Sequence, residues 1–369
     1  MEAGLYLHIP FCKSKCAYCD FASFAGQEQH MTAYTQAVLR EIDQKATAYP
    51  FTIRTLFIGG GTPSIFPAVE IDRILAALRH HFTFTEDAEC TCECNPGTVT
   101  GEFLSVLKKY GINRLSFGAQ ASQPHLLRML GRIHTWEDVV SSVELAKSMG
   151  FHNINLDLML GLPGQTADDV KKTLLQALAL QPTHLSCYGL IVEEGTKMHA
   201  QVQKGLWQLP DEDTERAEYA MCQDVLAEHG FEQYEISNFA KPSFRCRHNW
   251  DCWHRIPYIG IGSAACGFVD NVRYQNPPAL ADYLQGVPAT EEIISPEDAR
   301  FETMMLGLRT MDGVREEAFL AMHGISLADA YGRKLQKPLQ EGLIRWEMGR
   351  VFLTREGMNL QNRILVEIM

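Results

Sequence analysis

The sequence predicts an α/β fold: a partial, TIM-like (β/α)6 barrel of parallel strands, followed by an α+β region that ends in a winged-helix-like segment. Three observations predict it. From residue 5 to residue 191, short β-branched or aromatic runs alternate with longer segments of helical period, the pattern of a parallel sheet wrapped by helices. The alternation yields six units rather than the eight of a closed barrel. The distinctive Cys, Gly and acidic residues fall at or just after the strand runs, where barrels of this kind place their chemistry.

The strand runs lie at 5–9, 55–58, 89–94, 114–117, 153–159 and 184–191, with helices such as 32–48 and 68–81 between them. Residues 1–191 are therefore the barrel. Beyond Val192 the alternation lapses, and Pro257, Pro277, Pro278 and Pro288 punctuate a region with one helix near 213–229 and several short strands. Residues 192–296 are expected to form a covering domain. Residues 297–369 return to helices, then Gly342-Leu343-Ile344, a turn at Gly349 and Val351-Phe352-Leu353, the order of a winged-helix-like end.

Composition narrows the function classes. With 46% hydrophobic and 21% charged residues the chain is globular. The first residues carry no basic n-region, and nowhere do roughly eighteen apolar residues run unbroken, so neither signal peptide nor membrane span is expected and the chain is placed in the cytoplasm. Eleven cysteines, odd in number and unevenly clustered, fit reduced thiols better than a disulfide framework. A net charge of −12 argues against general affinity for nucleic acid or anionic lipid. Residues 297–369 hold ten Lys/Arg against eleven Asp/Glu, so the winged-helix-like end lacks the basic stripe of a DNA reader.

Directly after the first strand comes Cys12-Lys13-Ser14-Lys15-Cys16-Ala17-Tyr18-Cys19, a C-x₃-C-x₂-C loop. Three soft thiolates this close suit a [4Fe–4S] cluster and leave one iron without a protein ligand. Structural zinc would want a fourth Cys or His, and neither His8 nor His30 sits at a familiar zinc spacing. Lys13 and Lys15 favour the thiolate forms. Gly59-Gly60-Gly61-Thr62-Pro63 ends the second strand and would bring bare backbone close to a ligand. In the third strand Cys90, Cys92 and Cys94 alternate with Glu89, Thr91 and Glu93, so only one of the two sets faces into the barrel.

These residues resemble the radical S-adenosylmethionine (SAM) superfamily, and the wording from Tyr6 to Phe21 resembles its coproporphyrinogen-dehydrogenase-like branch. The resemblance implies that SAM chelates the open iron, with an electron donor serving the cluster. It implies that Gly60, Gly61 and Thr62 meet the methionine amine, that Glu93 faces SAM and sends the three cysteines outward beneath helices, and that Gln120 and Arg132 reach polar groups of the ligand. Asp157 would reach the ribose, with Tyr6 and Tyr18 lining the site.

Two departures narrow the branch. The porphyrinogen-decarboxylating enzymes carry a fourth cysteine where this chain has Phe21, and a sizeable segment before the first strand where this sequence has a few residues. Both features resemble the HemW heme chaperones, whose His-Asn-x-x-Tyr-Trp motif is implicated in heme binding. Here the motif reads His248-Asn249-Trp250-Asp251-Cys252-Trp253, with Cys252 in the tyrosine position. His248 or Cys252 would ligate iron, Trp250 and Trp253 would lie against the macrocycle, and Arg245, Arg247 and Arg255 would pair with propionates. The alternative is a tryptophan-anchored loop over the barrel mouth, with His248 bonded to backbone. The expected function is a heme chaperone that binds the cluster, SAM and heme and passes heme to an acceptor hemoprotein. A radical SAM enzyme that modifies porphyrins, an oxidoreductase or a methyltransferase, is the alternative.

Overall fold

The structure, a computed structural model, describes residues 1–369. The first strand, β1 (Glu2–Ile9), leads into two short strands, β2 (Phe11–Cys12) and β3 (Phe24–Ala25), which pair in parallel and frame the first loop. The barrel continues through β4 (Thr52–Gly60), β5 (Thr83–Cys94), β6 (Arg114–Gln120), β7 (Asn153–Leu160) and β8 (His184–Gly189). Each of these strands pairs in parallel with the next, in the order β1-β4-β5-β6-β7-β8, so all six carboxyl ends meet at one rim. Helices α1 (Met31–Ala48), α2 (Ala68–His81), α3 (Gly101–Lys109), α4 (Pro124–Leu130), α5 (Trp136–Ser148) and α6 (Ala167–Ala179) connect them.

Local chemistry sets these elements. Thr135 with Asp138, and Thr166 with Asp169, form reciprocal capping boxes that start α5 and α6. Every residue of β6 is buried, as expected of a central parallel strand covered on both faces. Cys90, Cys92 and Cys94 join the apolar core with Leu75, Leu78 and Phe103, while Glu93 turns to the barrel interior.

The structure departs from the expected covering domain. After α7 (Lys197–Gln203) and α8 (Glu212–Glu228), β9 (Glu232–Gln233) and β10 (Asn238–Ala240) extend the sheet beyond β8 in antiparallel pairing. Then α9 (Arg247–Trp253) leads to β11 (Tyr258–Ile261), which adds a seventh parallel strand beside β1. Strands β12 (Cys266–Val269), β13 (Val272–Gln275) and β14 (Thr290–Ile293) continue that edge, with α10 (Leu280–Gln285) before the last. Residues 232–293 thus widen one sheet to 12 strands instead of covering it. These strands have four residues or fewer, too short for a period-2 pattern to reveal which sheet they join.

The C-terminal part folds around its own 13-residue core, separate from the 50-residue core of the barrel. It comprises α11 (Pro296–Gly307), β15 (Val314–Arg315), α12 (Glu316–His323), α13 (Leu327–Tyr331), α14 (Gln336–Gln340), and the hairpin of β16 (Ile344–Glu347) and β17 (Arg350–Leu353). Helices followed by a hairpin reproduce the winged-helix order. Two terminal helices, Arg355–Asn359 and Gln361–Ile368, close the chain. No helix is long and apolar enough to cross a membrane.

Candidate functional site

The cysteine loop is anchored at the carboxyl end of β1. His8 Nε2 donates to the Ala22 carbonyl at 2.8 Å, which fixes the tautomer and leaves Nδ1 to accept from the Tyr6 hydroxyl at 2.9 Å. Burial lowers the pKa of His8, in keeping with a neutral ring. Backbone bonds from Phe24 N to Pro10 O (2.6 Å) and from Ala17 N to Leu130 O (2.8 Å) hold the two limbs of the loop. Tyr6 was expected to line the site. Its hydroxyl is committed to His8 and it does not border the cavity, so it supports the loop from behind.

All three thiols border one cavity of about 380 Å³. Cys12 Sγ accepts from Thr62 Oγ1 at 3.5 Å, Cys16 Sγ from the Arg132 guanidinium at 3.5 Å, and Cys19 lies 3.9 Å from Ser23 Oγ. Burial raises the thiol pKa values of Cys12 and Cys19, and hydrogen bonds, from Thr62 and Ser23 to Cys12 and from the Phe21 backbone and Ser23 to Cys19, pull them back. No three His, Cys, Asp or Glu side chains converge closely enough to hold a single ion. Thiols that ring a cavity without converging on one point suit a cluster of several atoms better than tetrahedral zinc.

The walls come from successive strand ends. Gly60 has φ +110°, and a Cβ there would lie 2.5 Å from the His8 ring; one at Gly61 would lie 2.6 Å from the Phe11 carbonyl oxygen. Side chains at either position would displace the cysteine loop, which is the physical reason for the glycine run. Glu93 Oε2 accepts from Gly60 N at 3.2 Å. Burial, then the negative charge of Asp157, push the Glu93 carboxyl up to about 7, while the Gly60 amide and Arg114 pull it down. Asp157 accepts from Asn155 Nδ2 at 2.7 Å and Ser116 Oγ at 3.3 Å, and burial raises its pKa.

A break in the β6–β7 register between Gly118 and Gln120 gives Gln120 a left-handed φ of 66° and brings it to the cavity wall, where its Oε1 accepts from Tyr188 at 2.9 Å. Arg132 joins Cys16 to Asn95 Oδ1 (2.9 Å) and Gly118 O (2.6 Å), so it ties the cysteine loop to two strand ends. Tyr18, Gly60, Gly61, Thr62, Glu93, Gln120, Arg132 and Asp157 therefore share one cavity with the three cysteines.

Sequence reading missed several residues there. Asn95, which donates to Thr62 at 3.0 Å, directly follows Cys94 at the end of β5, and that polar strand-end position was a usable signal. Ser116 and Ser186 are polar positions inside strands and gave a weaker one. Arg309 reaches the cavity from beyond α11, pairing with the fully buried Glu235 at 2.7 Å. Nothing in the sequence around Arg309 ties it to the barrel.

The expected heme residues do not share one cavity. They lie on a helix, α9, rather than on a loop over the mouth, and α9 enters at the opposite, amino-terminal end of the strands. Glu89 Oε1 accepts from Arg247 N (2.9 Å) and His248 N (3.2 Å), and Asp251 pairs with Arg54 at 3.0 Å. His248 is buried, with Nδ1 3.0 Å from Thr55 Oγ1 and its ring stacked on Phe57. Burial, then Arg114, lower its pKa to about 4. Its bond runs to a side chain rather than to backbone, and its ring lines neither the cysteine cavity nor the cavity between α9 and the C-terminal part. Asn249 forms part of the wall of the cysteine cavity. The Cys252 thiol is pushed up to about 12, chiefly by burial and next by Asp251, which disfavours the thiolate. Only Trp253 of the four borders a second cavity, between α9 and the C-terminal part.

Of the propionate partners expected, Arg247 pairs with Asp87 and Arg255 with Glu302.

Comparison with known proteins places this architecture. The model of the radical SAM superfamily matches residues 6–177, and that of the HemN C-terminal domain matches residues 294–360. The heme chaperone HemW of Lactococcus lactis is 35% identical over 368 residues, covering 99% of this chain and 96% of that protein. The chain belongs to the HemW family. The Bacillus subtilis and Escherichia coli members are 36% and 34% identical, covering 97% and 95% of this chain and 97% and 96% of their own lengths. The solved structure of coproporphyrinogen III oxidase (HemN) from Escherichia coli superposes with a TM-score of 0.86 at 24% identity, over 99% of this chain and 89% of that one. That likeness shows the fold.

Proposed function

We propose that this chain is a heme chaperone: it holds a [4Fe–4S] cluster on Cys12, Cys16 and Cys19, binds SAM beside it, and passes heme to an acceptor hemoprotein. The observation that carries the reading is full-length similarity to heme chaperones combined with one cavity that gathers the three thiols with Glu93, Gln120, Arg132 and Asp157. When bound, the cluster would supply an open iron for the amino and carboxylate groups of SAM and a one-electron redox centre fed by an external donor. The chain's own residues do the positioning. Gly60 and Gly61 border the cavity and let the cysteine loop pack against the strand end, Glu93 offers an acceptor to an ammonium group, Asp157 offers one to ribose hydroxyls, and Arg132 offsets thiolate charge at Cys16. Phe21, 64% exposed at the cavity edge, stands where the resemblance implies a cysteine in the porphyrinogen-decarboxylating enzymes, which favours a chaperone over such an enzyme for this chain.

The test is anaerobic reconstitution followed by heme titration, transfer of the bound heme to apomyoglobin, and an assay for 5′-deoxyadenosine with and without coproporphyrinogen. Stoichiometric heme binding and transfer, without coproporphyrinogen-dependent 5′-deoxyadenosine, is the expected result. Substrate-dependent 5′-deoxyadenosine without heme transfer would overturn the reading in favour of an enzyme.

A further inference from the structure

The cysteine loop has two sides. Its inner side borders the cysteine cavity; its outer side borders a narrow slot of about 10 Å³, lined by the loop, the segments after β4 and β5, and the turn after α4. Cys16 is the one cysteine that borders both, together with Ser14, Thr62, Asn95 and Arg132. We propose that this outer face is the docking surface for a small acidic one-electron carrier protein, which delivers its electron to the cluster through Cys16. This rests on the cluster reading above and locates its electron donor.

Charge is the first support. Residues 11–19 and 121–134, the two segments that meet here, hold Lys13, Lys15, Arg128 and Arg132 and no Asp or Glu, in a chain of net charge −12. The flanking acids, Asp20 and Glu137, lie outside both segments. Lys13, Lys15 and Arg128 are exposed and pair with no carboxylate; Lys15 Nζ donates only to the Phe21 carbonyl. Free cations on an otherwise acidic chain steer an acidic partner to this face and turn others away.

The two segments also form one surface. Ala17 N donates to Leu130 O at 2.8 Å, and a Cβ at Gly131 would lie 3.5 Å from Ala17 N and 3.7 Å from Cys16 Cα, so the turn after α4 packs directly on the loop. Ile133, 57% exposed beside the slot, supplies an apolar contact with cations around it, the anatomy of a protein interface. The slot has room for about one water, so nothing inserts from this side and contact is surface to surface. Redox complexes are among the smallest specific interfaces, below roughly 1,200 Å² in total, and need no deep groove.

The chemistry balances simply. The reduced carrier loses one electron and the cluster gains one; no bond forms or breaks. Tunnelling falls steeply with distance, which favours entry where a ligating sulfur lies under a thin wall. The Arg132 guanidinium, 3.5 Å from Cys16 Sγ, offsets the added negative charge. Docking on the outer face leaves the inner cavity free for SAM.

The test measures binding of oxidised flavodoxin, an acidic carrier, by calorimetry at low and high ionic strength, and reduction of the cluster by reduced flavodoxin and by dithionite. High salt should weaken wild-type binding about tenfold or more. The double variant Lys13→Glu/Arg128→Glu should bind about tenfold more weakly at low salt and lose most of the salt dependence, and Ile133→Glu should bind about three- to tenfold more weakly. Lys171→Glu/Lys172→Glu, the same charge change on exposed positions of α6, should stay within about twofold of wild type. Iron content is measured for each; if the double variant loses its cluster, Arg128→Glu alone and Ile133→Glu, both outside the loop, decide the matter. If wild type is reduced by dithionite but neither binds flavodoxin nor accepts its electron, or if the α6 variant weakens binding as much as the loop variants, this surface is wrong while the cluster reading stands. If the wild type takes up no cluster, the cluster reading fails and the docking surface with it.

Discussion

SAM affinity is expected to depend on pH through Glu93. Its carboxyl is pushed up to about 7 by burial and by Asp157, against an ordinary value of 4.5. If the ionised form is what receives the ligand ammonium, the apparent Kd carries the factor 1 + 10^(7 − pH). That factor is about eleven at pH 6, about two at pH 7 and close to one at pH 8, so binding should be roughly tenfold weaker at pH 6 than at pH 8. Calorimetry on cluster-loaded protein measures it, with Glu93→Gln as the control. The glutamine cannot titrate, so its profile should be flat apart from protonation of the ligand itself, which is common to both proteins and cancels in the comparison. The stability sign runs the other way. Because the folded pKa lies above the unfolded one, the folded state holds the proton more tightly, and Glu93 should cost stability as pH rises from about 4.5 to 7. Parallel pH profiles in wild type and Glu93→Gln would refute the assignment of Glu93 to the ligand.

Other outcomes follow from the same geometry. Reconstituted protein should hold about four irons and four sulfides per chain, and Cys12→Ala, Cys16→Ala and Cys19→Ala should each abolish that content; undiminished iron in Cys16→Ala would remove the loop as the cluster site. Asp157→Asn should weaken SAM binding about tenfold with the cluster intact, because a buried charge-assisted hydrogen bond is worth roughly 1.5–3 kcal/mol; equal affinity by calorimetry would return Asp157 to a purely structural role. Gly60→Ala should lower stability by about 1–3 kcal/mol in thermal or denaturant melts, since φ +110° is foreign to alanine and its Cβ would meet the His8 ring; an unchanged midpoint would show that the loop yields freely.

The sequence by itself determined the barrel strands, the cysteine loop and most of the residues that line the cysteine cavity, because each is a local pattern. Strand alternation, a C-x₃-C-x₂-C spacing and a glycine run following a strand are readable over a dozen residues, and parallel order then brings their ends to one rim. The alternation of Cys90, Cys92 and Cys94 against Glu93 was legible for the same reason: the pleat leaves only two faces. Tertiary structure alone decided the rest. Strands β9 to β14 are too short to declare which sheet they join, so the 12-stranded extension waited on long-range pairing. Arg309 enters the cavity from a segment with its own core, and no local signal marks that approach. The motif from His248 to Trp253 was read as one unit, but a helix presents successive residues to different directions. Once α9 is capped by Glu89, His248 turns inward to Thr55 and Phe57, Asn249 to the cysteine cavity, and Trp253 to the cavity it shares with His254. Which of those neighbours meets a ligand depends on what packs against each face of the helix, and only the folded chain supplies that.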